Sequence, residues 1–293
     1  MRSALLALIL TLAACAPSAK TTINYAYSNT ADDIQTNPQR YKLLAAYLSK
    51  AVGVPVNVVP TAGYGPVVEA MRAGKVDIAT VGPLTYLIAA QKGGVEPLVI
   101  RGRASGPATY QSCIFVRNDS PIRTLEELVR DRAKYTFAFV DPASTSGHII
   151  PRAFLESQGV DVEKDFRKMF FSSSHPTSLY TVIGGKVDAA AAMPAMIHTM
   201  EGNGKIKPGQ VRILWESSEI PASPVVVRIA LPADLKNKLR QAYFDMPKAA
   251  PDVVAALQVT TADPDYRYFP ATDAMFDGLR KIARDLKNVK ILE

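Results

Sequence analysis

Apolar and polar residues follow two alternating patterns along the first part of the chain. Short apolar runs predict three β-strands, at residues 23–27, 54–59 and 76–80. Apolar side chains that recur every three or four positions predict two amphipathic helices, at residues 40–52 and 65–73. Gly53 and Gly74 follow these helices directly, as helix-ending glycines do. Strands and helices that alternate with short connections predict parallel strands joined by crossover helices.

The same alternation begins again near residue 112. The predicted strands of this second part are residues 112–116, 136–140, 168–171, 187–191 and 224–229. The predicted helices are residues 125–130, 147–158, 178–183, 234–244, 251–257 and 271–286. The tetrapeptide Gly-Lys-Val-Asp precedes a strand in both parts, and its aspartates, Asp77 and Asp188, are interpreted as structural. We therefore predict two α/β lobes that close on a ligand by a hinge motion, the first formed by residues 23–109 and 226–293 and the second by residues 110–225.

The composition is that of a globular protein with ample material for a hydrophobic core. Hydrophobic residues make up 48% of the 293 positions and charged residues 21%, which excludes a disordered chain. No apolar run reaches the roughly 20 residues that a membrane-spanning helix needs. The formal net charge of +7 is spread without Lys/Arg clusters, so a nucleic-acid partner is not expected, whereas a small anionic ligand is compatible.

The amino terminus has the pattern of an export signal. Arg2 precedes an apolar stretch, residues 4–12, that is too short to cross a bilayer as a helix. The sequence Leu-Ala-Ala-Cys ending at Cys15 resembles the lipobox of bacterial lipoproteins, which implies a signal peptide at residues 1–14 and a lipid-anchored tether at residues 15–22. A plain secretory signal with an incidental cysteine is the alternative. The protein is accordingly expected in the periplasm or on the extracytoplasmic face of a membrane, held by lipid on Cys15.

Three consecutive hydroxyl residues, Ser144, Thr145 and Ser146, follow an apolar strand and precede a predicted helix. Amides in the first turn of a helix have no intrahelical acceptor, and the helix dipole favours negative charge there. Hydroxyl donors at such a position form a site for a compact oxyanion, and Gly147 would let a ligand approach the backbone closely. A redundant N-cap is the alternative, because capping needs only one hydroxyl.

Several stretches, in a consistent order and spacing, resemble the periplasmic phosphate-, phosphite- and phosphonate-binding components of ABC importers. The densest are YGPVVEAMR at 64–72, KVDIA at 75–79, YQSCIFV at 110–116, DSPI at 119–122 and DPASTSG at 141–147. The resemblance implies a two-lobed α/β fold like that of type II periplasmic-binding proteins, with two parallel or mixed sheets flanked by helices and a hinge. It also implies a monomer that binds a small phosphorus oxyanion (phosphite, an alkylphosphonate or phosphate) between its lobes and delivers it to an ABC permease.

The resemblance assigns ligand-binding roles to particular side chains. It places the three consecutive hydroxyl residues around the phosphorus-bound oxygens, in agreement with the helix-terminus argument. It implies that Tyr64 donates its phenol from the first lobe, that Tyr110 forms a wall of the pocket, and that His175 contacts the anion. Without the resemblance, the two tyrosines would be interpreted as packing residues and His175 as a solvated loop residue.

Two residues that depart from the family pattern, Cys113 and His148, are further candidate contacts. If Cys15 carries lipid, Cys113 has no intramolecular disulfide partner and is either a buried hydrophobe or a functional thiol. Arsenite-binding sensory proteins resemble this same family and hold arsenic through cysteine. The alternative function is therefore an arsenite sensor that uses Cys113 and reports to a sensor kinase.

Two other positions bear on ligand choice. Aminoethylphosphonate binders of this family hold the ammonium group of the ligand with two carboxylates, and the corresponding residues here are Ala195 and Ser223. Burying an ammonium group without a carboxylate partner is costly. Aminoalkylphosphonates are therefore expected to bind poorly.

An enzyme is not expected. Ser144 or Ser146 could pair with His148 or His175, but Gly-x-Ser-x-Gly is absent and no acidic residue can be placed to orient either histidine. His148, His175 and His198 also lack the spacing of metal ligands. No catalytic residue, metal or cofactor is predicted.

Overall fold

Strands and helices alternate through most of the computed structural model, which describes residues 21–28, 38–257 and 265–286. The predicted signal peptide, Cys15 and most of the predicted tether lie outside the described residues. The strands of the described part are β1 (Ile23–Ser28), β2 (Val56–Thr61), β3 (Ile78–Thr80), β4 (Val95–Arg103), β5 (Gly106–Pro107), β6 (Thr109–Tyr110), β7 (Cys113–Arg117), β8 (Thr136–Phe139), β9 (Lys168–Phe171), β10 (Ala189–Ala192), β11 (Val211–Glu216), β12 (Ile220–Pro221), β13 (Pro224–Arg228) and β14 (Arg267–Pro270). Its α-helices are α1 (Pro38–Val52), α2 (Tyr64–Arg72), α3 (Pro83–Gly93), α4 (Leu125–Arg130), α5 (Ile150–Ser157), α6 (His175–Ile183), α7 (Pro194–Gly202), α8 (Ala233–Ala249), α9 (Pro251–Leu257) and α10 (Asp277–Asp285). One π-helical turn covers Thr145–Ile149, and 3₁₀ turns cover Arg132–Lys134 and Asp273–Phe276.

The first sheet has the strand order β14-β4-β13-β3-β1-β2, with β5 paired to β4. β2 and β3 flank β1 and run parallel to it, as predicted, whereas β13, β4 and β14 add antiparallel pairs. Neighbouring residues of β1 point to opposite faces, so that Tyr25 packs with α1, α8 and α9, and Ala26 packs with α2, α3 and α10. The sheet is therefore mixed and covered by helices on both faces.

The second sheet has the order β11-β7-β10-β8-β9. β8 runs parallel to β9 and β10, while β7 is antiparallel to β10 and β11. Cys113 and Phe115 of β7 pack with α6 and α7, and Ile114 and Val116 pack with α4 and α5. This sheet is also buried on both faces, and Cys113 belongs to its apolar core.

The two aspartates of the repeated Gly-Lys-Val-Asp tetrapeptide each accept a hydrogen bond from the backbone of a neighbouring strand, one in each sheet. The Asp77 carboxylate accepts a hydrogen bond from the Asn24 amide of β1 at 2.9 Å and pairs with Arg228. The Asp188 carboxylate accepts one from the Thr136 amide of β8 at 2.7 Å. Their interpretation as structural residues is confirmed, because each carboxylate supplies an acceptor for a backbone amide near the start of the adjacent strand.

The chain crosses between the sheets twice, at residues 108–112 and 217–223. The two crossing segments pair with each other through β6 and β12, and the Ala222 amide donates to the Ala108 carbonyl at 3.0 Å. All of β13 belongs to the first sheet. The lobe boundaries at 109/110 and 225/226 remain a prediction.

In the described part of the chain, no helix is both long and apolar enough to cross a membrane.

Helix α3 is one of the elements that the hydrophobic pattern did not predict, and α7 and strands β4, β11 and β14 are others. Seven consecutive residues of α3, 83–89, are buried, so it has no polar face and no amphipathic period. By contrast, α4 has the predicted bounds, because only part of its surface faces the core. The predicted helix at 178–183 begins three residues earlier, at His175, and the one predicted at 147–158 begins as the π-helical turn.

Candidate functional site

The three hydroxyl residues lie in a tight turn between β8 and α5. We call residues 143–149 the hydroxyl turn. Ser144 is its N-cap, and the Gly147 amide donates to the Ser144 Oγ at 3.1 Å. The side chains of Ser144, Thr145 and Ser146 are only 2–3% exposed. Three polar residues are therefore brought together at a buried helix terminus.

Gly147 allows this turn to fold back against the end of β8. The Val140 amide donates to the Gly147 carbonyl at 2.8 Å. A Cβ atom at Gly147 would lie 2.3 Å from Val140 Cγ2 and 2.9 Å from Ser144 Oγ. Any side chain would therefore displace the strand end or the cap, so glycine is required here by packing.

Helix α3 of the first sheet covers the hydroxyl turn of the second. The Leu84 amide donates to Thr145 Oγ1 at 2.9 Å, and Thr85 Oγ1 donates to the Ala143 carbonyl at 3.0 Å. Ile149 packs in the same apolar cluster as Leu84. Sequence reasoning missed this α3 contribution, although Pro83 at the start of a helix is a recognisable signal for its amino terminus.

His148 packs beneath the turn. Its Nδ1 lies 2.9 Å from the Pro142 carbonyl oxygen, to which it donates, and its ring contacts Phe139 and Phe171 edge-on at 5.1 Å between centroids. Burial lowers the pKa of His148 to about 4. The ring is therefore neutral at physiological pH and has an aromatic packing role in this structure.

His175 is the first residue of α6, and its surroundings contradict the solvated-loop interpretation. The side chain is only 3% exposed, and its Nδ1 is buried with no hydrogen-bond partner among the described residues. The Ser173 amide donates to the Val140 carbonyl at 2.7 Å, which places the end of β9 beside the end of β8. Burial lowers the pKa of His175 to about 4. An unpaired ring nitrogen therefore lies at the same sheet edge as the hydroxyl turn.

The remaining predicted residues lie on different elements. Tyr64 begins α2 and is half-buried, and Tyr110 is half-buried in β6, opposite Ile220 of β12. Cys113 is fully buried in the apolar core, and burial raises the pKa of its thiol. A protonated thiol in an apolar core is a poor soft-metal ligand, and no finding supports the alternative function of arsenite sensing.

Acidic groups and cavities complete the description of the site. Asp141 lies just before the hydroxyl turn, where its carboxylate accepts from the Ala143 amide at 2.8 Å and burial raises its pKa.

Two cavities of about 450 Å³ lie away from the turn, one beside Tyr86 and Arg280 and one beside Tyr47 and Lys238. No group of three potential metal ligands occurs in the described ranges. Helix α3 covers the hydroxyl turn, which therefore lies buried between the two sheets.

Two α/β sheets joined by paired crossings, with a buried polar turn between them, have the arrangement of a two-lobed binding protein. A family model described as the periplasmic substrate-binding protein of phosphonate ABC transporters matches residues 30–274. The chain therefore belongs to this family of ABC-transporter binding components, and both the predicted family and the two-lobed fold class are confirmed.

Three relatives show the extent of the similarity. The phosphate-import protein PhnD of Mycolicibacterium smegmatis is 32% identical over 260 residues, which cover 83% of this chain and 79% of that protein. The phosphonates-binding periplasmic protein of Escherichia coli is 28% identical over 236 residues, or 80% of this chain and 69% of that one. The crystal structure of a binding-protein component of an ABC phosphonate transporter from Pseudomonas aeruginosa superposes with a TM-score of 0.79 at 27% identity, covering 89% of this chain and 85% of that one.

Acid should destabilise the folded protein through the buried histidines. Because burial lowers the pKa of His175 to about 4, the unfolded chain binds more protons than the folded chain between pH 6.5 and pH 4. The free energy of unfolding should therefore fall as the pH drops through that window. For His175 alone the loss should reach about 3 kcal/mol at pH 4 relative to pH 7.

Urea unfolding between pH 7 and pH 4 tests this expectation. The variant His175→Gln should show a shallower loss of stability with acid than the unmodified protein. His198→Gln is the matched control, because the His198 side chain is 72% exposed, and it should keep the original pH dependence. Identical pH profiles for His175→Gln and the unmodified protein would contradict the buried, neutral state of His175.

Proposed function

We propose that this protein is the ligand-binding component of an ABC importer and that it captures a small tetrahedral phosphorus oxyanion: phosphite, methylphosphonate or phosphate. The observation that carries the proposal is the buried hydroxyl turn, which combines three hydroxyls with first-turn amides. The named ligands of the relatives, phosphate and phosphonates, belong to the same chemical class. An ABC permease is the partner that receives the anion.

The hydrogen bonds of the turn support an anion as the ligand. Ser144 Oγ accepts from the Gly147 amide, and Thr145 Oγ1 accepts from the Leu84 amide. A hydroxyl that accepts a hydrogen bond from an amide still has its own hydrogen to donate. Both hydroxyls are therefore polarised as donors, which suits an acceptor-only ligand such as an oxyanion.

Contacts from the other elements complete the proposed site. Tyr64 donates from the first lobe, and Tyr110 lines the pocket on the crossing strand. The Nδ1 of His175 has no hydrogen-bond partner among the described residues, and a bound anion beside the ring would stabilise its protonated form. Ligand binding should therefore raise the pKa of His175. Closure of α3 over the turn would exclude water and strengthen each of these bonds.

Calorimetry on the purified protein with phosphite, methylphosphonate and inorganic phosphate tests the proposal. At least one of these anions should bind, and Ser146→Ala should weaken that binding about ten- to a hundredfold, because a hydrogen bond to a charged group contributes about 1.5–3 kcal/mol. Ser157→Ala is the matched control, since it removes a hydroxyl that donates to the Phe154 carbonyl at 2.6 Å on the exposed end of α5. Absence of heat with all three anions would refute the proposed function.

The residues at positions 195 and 223 favour ligands without a cationic substituent. Ala195 is exposed at the start of α7, directly after β10, and β10 ends at the same sheet edge as β8 because the two strands are parallel. Ser223 is half-buried in the second crossing segment. Neither side chain carries the negative charge that would compensate a buried ammonium group.

Aminoethylphosphonate should therefore bind at least tenfold more weakly than methylphosphonate in calorimetry. The double variant Ala195→Glu with Ser223→Asp should reverse this order, because its carboxylates would attract the ammonium group and repel an uncompensated anion. Each single variant serves as an intermediate control. Equal affinities of the unmodified protein for the two phosphonates would show that these positions do not select the ligand.

The amino-terminal pattern supports a lipid anchor on Cys15. We infer that acyl chains on this residue hold the protein at the extracytoplasmic membrane surface, where it can meet its permease. In a bacterial host the unmodified protein should incorporate labelled palmitate and partition into detergent, and Cys15→Ser should abolish both. Cys113→Ser, which changes the second cysteine of the chain, should retain the label. Labelling that persists in Cys15→Ser would refute the anchor.

A further inference from the structure

A buried hydrogen bond connects the hydroxyl turn to the segments in which the chain crosses between the sheets. Ser112, immediately before β7, donates its hydroxyl to the carbonyl oxygen of Ser146 at 2.6 Å. Ser112 is 0% exposed, and the two residues are 34 positions apart in the chain. The bond therefore holds the backbone of the turn at Ser146, whose hydroxyl belongs to the proposed anion site.

Ser112 is also bonded to the opposite crossing segment. Its amide donates to Ser217 Oγ at 3.0 Å, and its carbonyl accepts from the Ser217 amide at 2.9 Å. Ser217 Oγ donates in turn to the Ser218 carbonyl at 2.6 Å, and Gln111 Nε2 donates to the Ser217 carbonyl at 2.8 Å. One serine thus contacts the first crossing segment, the second crossing segment and the hydroxyl turn.

A hinge motion would take place at the crossing segments, because the described chain passes from one sheet to the other through them. A shift of these segments moves Ser112, and the bond to Ser146 transmits that shift to the turn. Without the Ser112 hydroxyl, the buried Ser146 carbonyl would lose its donor. The Ser146 carbonyl shares a peptide plane with the Gly147 amide, so a rotation of that carbonyl toward another donor would also displace the Gly147 amide and its bond to Ser144 Oγ.

We propose that Ser112 is a positioning residue, which orients the Ser146 peptide for the anion and couples occupancy of the turn to closure at the crossings. This inference rests on the proposed anion-binding function of the same turn. The Ser112 side chain acts on the ligand through Ser146 and does not touch it. Loss of the Ser112 hydroxyl should therefore shorten the lifetime of the closed complex, because the crossing segments would no longer be bonded to the occupied turn.

The single tryptophan of the chain offers a local readout of this coupling. Trp215 lies on β11, two residues before Ser217, and its ring stacks on Phe154 of α5 with 4.1 Å between the centroids. Helix α5 continues directly from the hydroxyl turn. A change in the turn that reaches the crossings should therefore change the fluorescence of Trp215.

The experiment compares the full chain with Ser112→Ala, using inorganic phosphate and methylphosphonate as probes. Ser112→Ala should bind about tenfold more weakly, with most of the loss in a faster dissociation rate in stopped-flow measurements, and the ligand-induced change in Trp215 fluorescence should shrink. Ser217→Ala should act in the same direction. Ser112→Thr, which keeps a hydroxyl, should restore much of the affinity. Ser120→Ala is the matched control, because Ser120 is a buried serine beyond the other end of β7 that accepts from the Ile122 amide, and its affinity should stay within twofold.

Each outcome separates this inference from the function on which it rests. If the unmodified protein binds and Ser112→Ala binds with the same rates and fluorescence change, the positioning role is refuted and the proposed function stands. If Ser120→Ala weakens binding as much as Ser112→Ala does, the effect is general destabilisation and the inference is also refuted. If Ser112→Ala does not fold, the affinity, dissociation rate and fluorescence change of Ser217→Ala replace those of Ser112→Ala in this comparison. If the unmodified protein binds neither anion nor phosphite, the proposed function itself is refuted.

Discussion

The contact between α3 and the hydroxyl turn is the interaction on which the rest of the structure depends. It joins an element of the first sheet to an element of the second through two hydrogen bonds, from the Leu84 amide to Thr145 and from Thr85 to the Ala143 carbonyl. The same contact buries the polar groups of the turn and excludes water from them. Buried polar groups are mostly hydrogen-bonded, and the contact with α3 supplies partners for Thr145 Oγ1 and the Ala143 carbonyl.

The polar groups of the hydroxyl turn are neutral dipoles. The hydroxyl turn has no acidic residue in its first turn, and its one ionisable side chain, His148, is kept neutral by burial. His175 is kept neutral for the same reason. Amide and hydroxyl donors whose orientation is set by the fold can hold an anion without a cationic side chain. A formal net charge of +7 favours the approach of anions at long range.

The family and the ligand are determined by different parts of the molecule. The family match extends over residues 30–274, yet relatives of similar identity are named for phosphate and for phosphonates. Membership of the family therefore does not by itself define the ligand. Under the proposed function, Ala195 and Ser223 are the uncharged positions that would disfavour a ligand with a cationic substituent.

The sequence by itself determined the parts of this protein that depend on local patterns. Amphipathic α4, the strands around β1, and the hydroxyl cluster before a helix were all predicted, because periodicity and helix-terminus chemistry are readable within a few residues. Tertiary structure alone decided that α3 covers the turn and that His175 is buried. It also decided that the Ser112 hydroxyl bonds to a backbone carbonyl 34 residues away. A helix buried on all sides has no polar period, and a bond between distant residues leaves no local signal, so these features exist only once the two sheets have packed together.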